Sequence, residues 1–350
     1  MKGRNIVLTL ISLVVLFLLI GVVDNTLDDY KIRILNLCAI YVILALSMNL
    51  VNGFTGLFSL GHAGFMAVGA YTTAILTMPE AVKVQNFFMT PMMKPLDTLN
   101  IPFFPALIIA GLITAFVAFL IGAPALRLRG DYLAIATLGF GEIIRVIFLN
   151  TQSITNGALG LKGIPNTTNL WWSFGFAVAT VLLIGLLINS SYGRALKAIR
   201  EDEIAAESMG INLFNHKVMS FMIGAFFAGI GGGLLGNLLG TIDPNMFKFV
   251  LTFNILLIII LGGMGSITGT IISAFVITIG QEVLRFLDDG MTFGSFAIPG
   301  VTGLRMVVFS ALLMIVVLFF NRGLMGTNEF SWNRLFKLFK KEPLAKGGGK

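Results

Sequence analysis

Apolar runs close to twenty residues long recur between Ile6 and Phe320. A helix needs about 20 such residues to cross a hydrocarbon core of roughly 30 Å. Ten runs qualify: 6–23, 34–51, 57–78, 103–122, 132–149, 170–188, 218–239, 249–261, 267–287 and 301–320. The eighth holds 13 residues and at 1.5 Å per residue covers about 20 Å, too little to cross unaided. It runs into Gly262-Gly263-Met264-Gly265-Ser266, which predicts a broken or tilted helix. Broken backbone at membrane depth has to be buried in protein or line a cavity. With 56% hydrophobic and 12% charged residues, against about 25% charged in soluble domains, a water-soluble domain is excluded. The expected fold is an all-α polytopic membrane protein of about ten transmembrane helices with broken Gly-rich segments.

The net charge of +7 could suggest nucleic acid, but its distribution points to membrane orientation and to no nucleic-acid partner. Cytoplasmic loops collect Lys and Arg. With the N-terminus inside, 15 of these residues fall on the cytoplasmic side and 6 on the other, which predicts both termini inside. Met1-Lys2-Gly3-Arg4 and the following apolar run resemble a signal peptide, yet no small-x-small cleavage site precedes Asp24, so a retained first span is expected. The expected division is 1–33, first span and outer loop; 34–320, transmembrane core; and 321–350, a basic cytoplasmic tail. In that tail Trp332, Phe336 and Phe339 give an amphipathic segment suited to membrane lipid. Lone Cys38 builds neither a disulfide nor a cysteine metal site, and His62 has only His216 for company, so no metal is expected.

The longest inner loop, 189–216, reads as short helices outside the membrane. Asp202 can cap a helix N-terminus, and Gly210 suits the left-handed position that ends one. Ala205 and Ala206 offer a flat, small surface for close approach, while Arg194, Lys197, Arg200 and Glu201 offer charge pairing at its rim. An ordinary amphipathic loop is the alternative.

Between the second and third runs, Gly53, Gly56, Gly61 and Gly64 allow backbones to approach or break. Asn49, Asn52, Thr55, Ser59 and His62 add hydrogen-bonding groups to the same stretch, and Gly262, Gly263 and Gly265 form the second break. These residues either glue helices together or line a solute path. Glu142 and Arg145, and Glu282 and Arg285, place ionisable groups within spans, a costly choice. Spacing of three puts each pair on one helix face. They are structural pairs near the outer helix ends or a mouth that receives a zwitterion. The shared Gly-x-Glu-x-x-Arg is a weak internal echo. Arg127, Arg129 and Asp131 mark a short inner turn, and Tyr30, Trp171 and Trp172 suit interfacial belts.

Ala205-Ala206-x-x-x-Gly210 after a charged stretch resembles the "EAA" coupling loop of ATP-binding cassette importer permeases, which docks into the nucleotide-binding subunit. The run from Ser47 to Phe65, the run from Leu126 to Arg145, and Leu261-Gly262-Gly263-Met264-Gly265-Ser266-Ile267-Thr268-Gly269 resemble the LivM-type permeases of high-affinity branched-chain amino acid importers. Similar segments occur in urea-transporting relatives. The resemblance implies an importer permease fold in a bacterial inner membrane. It also implies partnership with a LivH-type permease, two ATPase subunits and a periplasmic amino-acid-binding protein. No Gly-x-x-x-x-Gly-Lys-Ser/Thr loop occurs, so ATP would be bound by partner subunits and this chain would hold no cofactor and catalyse no reaction. The rival readings are a secondary transporter, which needs an unpaired carboxylate or proton relay, and an intramembrane enzyme, for which the usual hydrolase signatures are missing.

Overall fold

A computed structural model describes residues 2–289 apart from position 129, residues 291–293 and 296–298, and scattered positions from 303 to 329. Most of the predicted tenth span, Arg129 and the tail beyond Glu329 lie outside the described residues. In chain order the helices are α1 (Lys2–Thr26), α2 (Asp29–Asn49, prolonged by a π-turn, Leu50–Phe54), α3 (His62–Thr77), α4 (Glu80–Asn86), α5 (Phe103–Ala125), α6 (Asp131–Asn150), α7 (Gln152–Thr155), α8 (Leu170–Asn189), α9 (Ser191–Glu201), α10 (Glu203–Ser208), α11 (Leu213–Leu239), α12 (Phe249–Gly262), α13 (Ile267–Val283) and α14 (Phe286–Asp289). Among the described residues four short strands join in antiparallel pairs: β1 (Leu161–Lys162) with β2 (Thr241–Ile242), and β3 (Met291–Phe293) with β4 (Phe296–Ile298).

Six helices among the described residues are long and apolar enough to cross a membrane: α1, α2 with its π-turn, α5, α6, α8 and α11. At 16, 14 and 17 residues, α3, α12 and α13 are shorter. Two expected boundaries are corrected. The third run was expected to be helical from Leu57, but residues 55–61 carry no helix and α3 begins at His62. Polar side chains take over the backbone there, with Thr55 Oγ1 donating to the Leu50 carbonyl at 2.9 Å and the Ser59 amide donating to Asn52 Oδ1 at 3.3 Å. In the other case α11 begins at Leu213 rather than Val218, because Asn212 caps it at the Asn215 amide (3.0 Å) and Lys217 is buried in an ion pair with Glu203 at 2.6 Å.

The core forms around α2 and α11, each 78% buried, whereas α1 is 6% buried and meets the rest through Phe17 stacked on Trp171. Small residues let α11 and α3 touch backbone to backbone: a Cβ on Gly69 would lie 2.1 Å from the Gly229 carbonyl oxygen. Connections gather at two ends of the bundle. One end holds the β1–β2 pair and the loop after α4, where buried Lys83 donates to the carbonyls of Leu96 and Leu99. Burial pushes the pKa of that ammonium down. The other end holds α9, α10 and both glycine breaks.

Candidate coupling loop and broken-helix junction

The two breaks meet. Asn49, fully buried near the end of α2, accepts from the Gly265 amide at 2.9 Å and donates to the Ser266 carbonyl at 3.0 Å and to Thr270 Oγ1 at 2.8 Å. One side-chain amide therefore ties the α2 break to the α12–α13 break, satisfying groups that hydrocarbon would leave unpaired. Gly53 is required by this contact: a Cβ there would stand 1.8 Å from Asn49 Oδ1 and 2.5 Å from the Gly265 nitrogen. Gly64 approaches Gly141 on α6, and His62 shares a 2.9 Å hydrogen bond with Ser47. The Leu60 amide donates to Thr137 and the Ala63 amide to Thr252, both at 3.0 Å. The structure thus brings Asn49, Asn52, Gly53, Thr55, Ser59, His62 and Gly64 together as a buried junction in which the side chains of Asn49, Asn52, Thr55 and His62 have protein partners and Ser59 is held through its backbone.

At the second break, Gly263 and Gly265 adopt left-handed φ of +105° and +85°, and Gly262 packs on Gly269. Residues assigned from sequence to the tail cover this break. The Leu324 and Met325 amides donate to the carbonyls of Leu261 and Gly262 at 2.7 and 3.2 Å. Glu329 accepts from the amides of Ile267 and Thr268 at the start of α13, at 2.6 and 3.1 Å. Apolar periodicity cannot report this docking, because Gly323-Leu324-Met325-Gly326-Thr327-Asn328-Glu329 is too short and too mixed to carry a period.

The loop is built from local capping rules. Ser190 accepts from the Gly193 amide at 3.3 Å to start α9, whose buried Gly193, Leu196 and Ile199 recur every three residues. Asp202 accepts from the Ile204 and Ala205 amides at 2.8 and 3.0 Å to start α10. Gly210, at φ +82°, closes it, with the Gly210 amide donating to the Glu207 carbonyl at 2.9 Å and the Ile211 amide to the Ala206 carbonyl at 3.1 Å. Arg194, Lys197, Glu201, Asp202, Ala205 and Gly210 are exposed. Ala206 is a correction: expected on an open surface, it is 4% exposed, because the short α10 turns that face toward α11. The outward face instead presents Ile204 and Met209, 71% and 83% exposed, which composition alone did not single out. Arg200 also departs from expectation, since its Nη1 donates inward to the Gly53 carbonyl at 3.0 Å. Lys197 Nζ lies 5.9 Å from the centre of the Phe54 ring.

Both charge pairs form at the opposite end. Arg145 Nε meets Glu142 at 2.7 Å, and Arg145 Nη1 reaches Asn245 at 3.4 Å. Arg285 meets Glu282 at 3.2 Å; Tyr30 donates to the same carboxylate, with the Arg285 guanidinium 5.9 Å from the Tyr30 ring centre. Removing one partner of a buried pair leaves an uncompensated charge, a loss of about 3–5 kcal/mol in a dry site and here nearer about 1–2 because the pair is partly open. Arg145→Ala is therefore expected to lower the thermal midpoint of the purified permease by more than Glu142→Ala/Arg145→Ala does. Equal midpoints would show that the two residues do not stabilise each other.

Residues 30–318 match the family described as branched-chain amino acid transport system, permease component. The chain belongs to this family. The match to the branched-chain permease family includes the junction, the loop and both charge pairs. Relatives include the high-affinity branched-chain amino acid transport system permease protein LivM of Escherichia coli K12, 36% identical over 74% of this chain and 64% of that one. A probable branched-chain amino acid transport permease protein LivM of Methanocaldococcus jannaschii is 24% identical over 81% of this chain and 90% of that one. The high-affinity branched-chain permease protein LivH of Salmonella typhimurium is 25% identical over 83% and 92%. This chain spans just under two thirds, 64%, of the length of the Escherichia coli and Salmonella LivM relatives.

Proposed function

We propose that this chain is a membrane-spanning permease subunit of an ATP-binding cassette importer for branched-chain amino acids: leucine, isoleucine and valine. The family match over residues 30–318 carries this reading. Similarity to both LivM and LivH relatives supports pairing with a second, LivH-type permease, so that two related subunits enclose the path. Energy comes from two cytoplasmic ATPase subunits, which bind the ATP and dock on the α9–α10 loop as a coupling helix. A periplasmic binding protein delivers the amino acid.

Ten crossings in a bacterial inner membrane, with both termini cytoplasmic, accommodate the six long helices, the shorter α3, α12 and α13, and the last apolar run. The core runs from 34 to 320 between a first span (1–33) and a lipid-facing basic tail (321–350). Transport proceeds by alternating access, in which the junction around Asn49, Gly53 and Gly265 rearranges as the loop moves. Glu142, Arg145, Glu282 and Arg285 lie at the mouth, where neutral pairs suit a zwitterion better than an ion.

Expression with the sister permease and both ATPases, followed by purification through this chain, tests the assembly. Uptake in vesicles loaded with ATP, with the binding protein supplied outside, tests the solute. Leucine uptake is expected to require ATP and to fall at least tenfold under excess isoleucine or valine, and by less than twofold under equal urea. Strong competition by urea alone, or uptake with no ATPase recovered, overturns the proposal.

A further inference from the structure

Arg200 faces two ways at the inner end of the bundle. Nη2 and Nε hold Glu201 Oε1 at 2.8 and 3.2 Å on the solvent side, while Nη1 donates to the Gly53 carbonyl at 3.0 Å on the protein side. The helical bonding of the α2 extension ends with the Thr55 amide on the Leu50 carbonyl and the Leu57 amide on the Val51 carbonyl. The Gly53 carbonyl lies beyond those bonds, and Arg200 supplies its donor.

The same side chain lies on both breaks. Its Cγ is 2.7 Å from where a Cβ on Gly56 would stand, and its Nη1 is 2.7 Å from where a Cβ on Gly265 would stand. Gly56 and Gly265, at φ +75° and +85°, occupy backbone conformations that few other residues tolerate. Gly265 is in turn held by Asn49 at 2.9 Å. One guanidinium therefore joins α9 to two glycine hinges that Asn49 already ties to each other.

We propose that Arg200 is a positioning residue that transmits movement of the α9–α10 loop to the paired breaks, so that both reset together. This rests on the importer reading, with α9 displaced when the ATPase subunits close. Helix α9 moves as a unit because Gly193, Leu196 and Ile199 are buried along one side of it. Positive-φ glycines at Gly56 and Gly265 absorb the backbone change, as hinge positions do. A planar fork with several donors can hold the Gly53 carbonyl and the Glu201 carboxylate at once, which a point-charge ammonium does less well.

The test uses the assembled importer in vesicles with matched permease levels. Arg200→Met keeps an apolar stem over Gly56 and removes the donors; Arg200→Lys restores one cationic donor. Leucine taken up per ATP hydrolysed is expected to fall at least tenfold for Arg200→Met and to return to within about threefold of wild type for Arg200→Lys. Unchanged uptake per ATP in Arg200→Met overturns the proposal, and so does loss of the ATPases from both variants, which would make Arg200 a docking contact. Hydrogen exchange of the wild-type assembly keeps the question open to refutation if Arg200→Met fails to accumulate. Addition of a non-hydrolysable ATP analogue is expected to change exchange at 53–58 and 263–268 together, and a change confined to 190–212 overturns the link. Wild-type permease that recovers no ATPase overturns the importer reading itself, a different result from either of these.

Discussion

Ile204→Glu combined with Met209→Glu is expected to reduce ATP-dependent uptake at least a hundredfold while leaving the permease folded. The two side chains are 71% and 83% exposed, Ile204 on α10 and Met209 as the residue that ends it, and both take part in the helix ends through backbone amides alone, so the isolated chain loses little by the change. Substitutions of exposed side chains that make no cap or core contact usually shift stability by no more than about 0.5 kcal/mol. If the ATPase cleft takes up both side chains, each buried apolar group contributes about 1.5–3 kcal/mol, and two carboxylates in their place reverse that sign. Gly210→Glu is a less clean alternative, because φ of +82° strains any other residue even though, among the described residues beyond its chain neighbours, none comes within 4 Å of its would-be Cβ. Ala206→Arg is worse, since a buried site confounds folding with docking. Uptake and ATPase recovery measured in the same membranes decide the matter; wild-type values for both would remove the coupling role from this loop.

Gly69→Leu is expected to leave almost no folded protein. The would-be Cβ meets the Gly229 carbonyl oxygen at 2.1 Å, its Cα at 2.4 Å and its carbonyl carbon at 2.5 Å, all backbone of the largely buried α11. Overpacking against side chains costs about 1–3 kcal/mol because rotamers can yield. Backbone of α11 cannot yield without displacing α5 and α2 as well, so the cost passes the stability of a typical domain, about 5–15 kcal/mol, or forces the helices apart. Gly175→Leu is the control: α8 is 33% buried, and among the described residues nothing outside its own helical turn lies within 4 Å of the new Cβ. A single symmetric peak on size-exclusion chromatography for Gly175→Leu and aggregate for Gly69→Leu is the expected contrast. A monodisperse Gly69→Leu protein would mean that α3 and α11 do not cross at these glycines.

The long helices were legible because length and hydropathy suffice for them. Starts at Phe103, Leu170, Phe249 and Ile267 fall where the apolar runs begin, and capping by Asn169 and Ser266 makes two of those starts sharp. The i, i+3 ion pairs were legible for the same local reason. So were the caps of α10, since Asp202 and Gly210 act on backbone groups within a few residues of themselves. The start of α3 was not legible. Leu57, Phe58 and Leu60 are apolar enough to read as helix, and only the pairing of Asn52 with Ser59 and of Leu60 with Thr137 makes extended chain acceptable there.

What the sequence by itself determined is the class of protein, the long helices, the glycine breaks and the loop with its caps, because each follows from bonds and burial within a few residues or from the solvent a run of side chains demands. Only the tertiary structure decided which way the short elements face. Ala206 turns in while Ile204 and Met209 turn out, Arg200 reaches back to the Gly53 carbonyl, Asn49 joins two breaks separated by more than two hundred residues, and Glu329 closes the start of α13. A helix of six residues has too few positions for periodicity to fix its buried side. Its orientation is set by whichever neighbours satisfy its polar groups, and those neighbours come from distant parts of the chain.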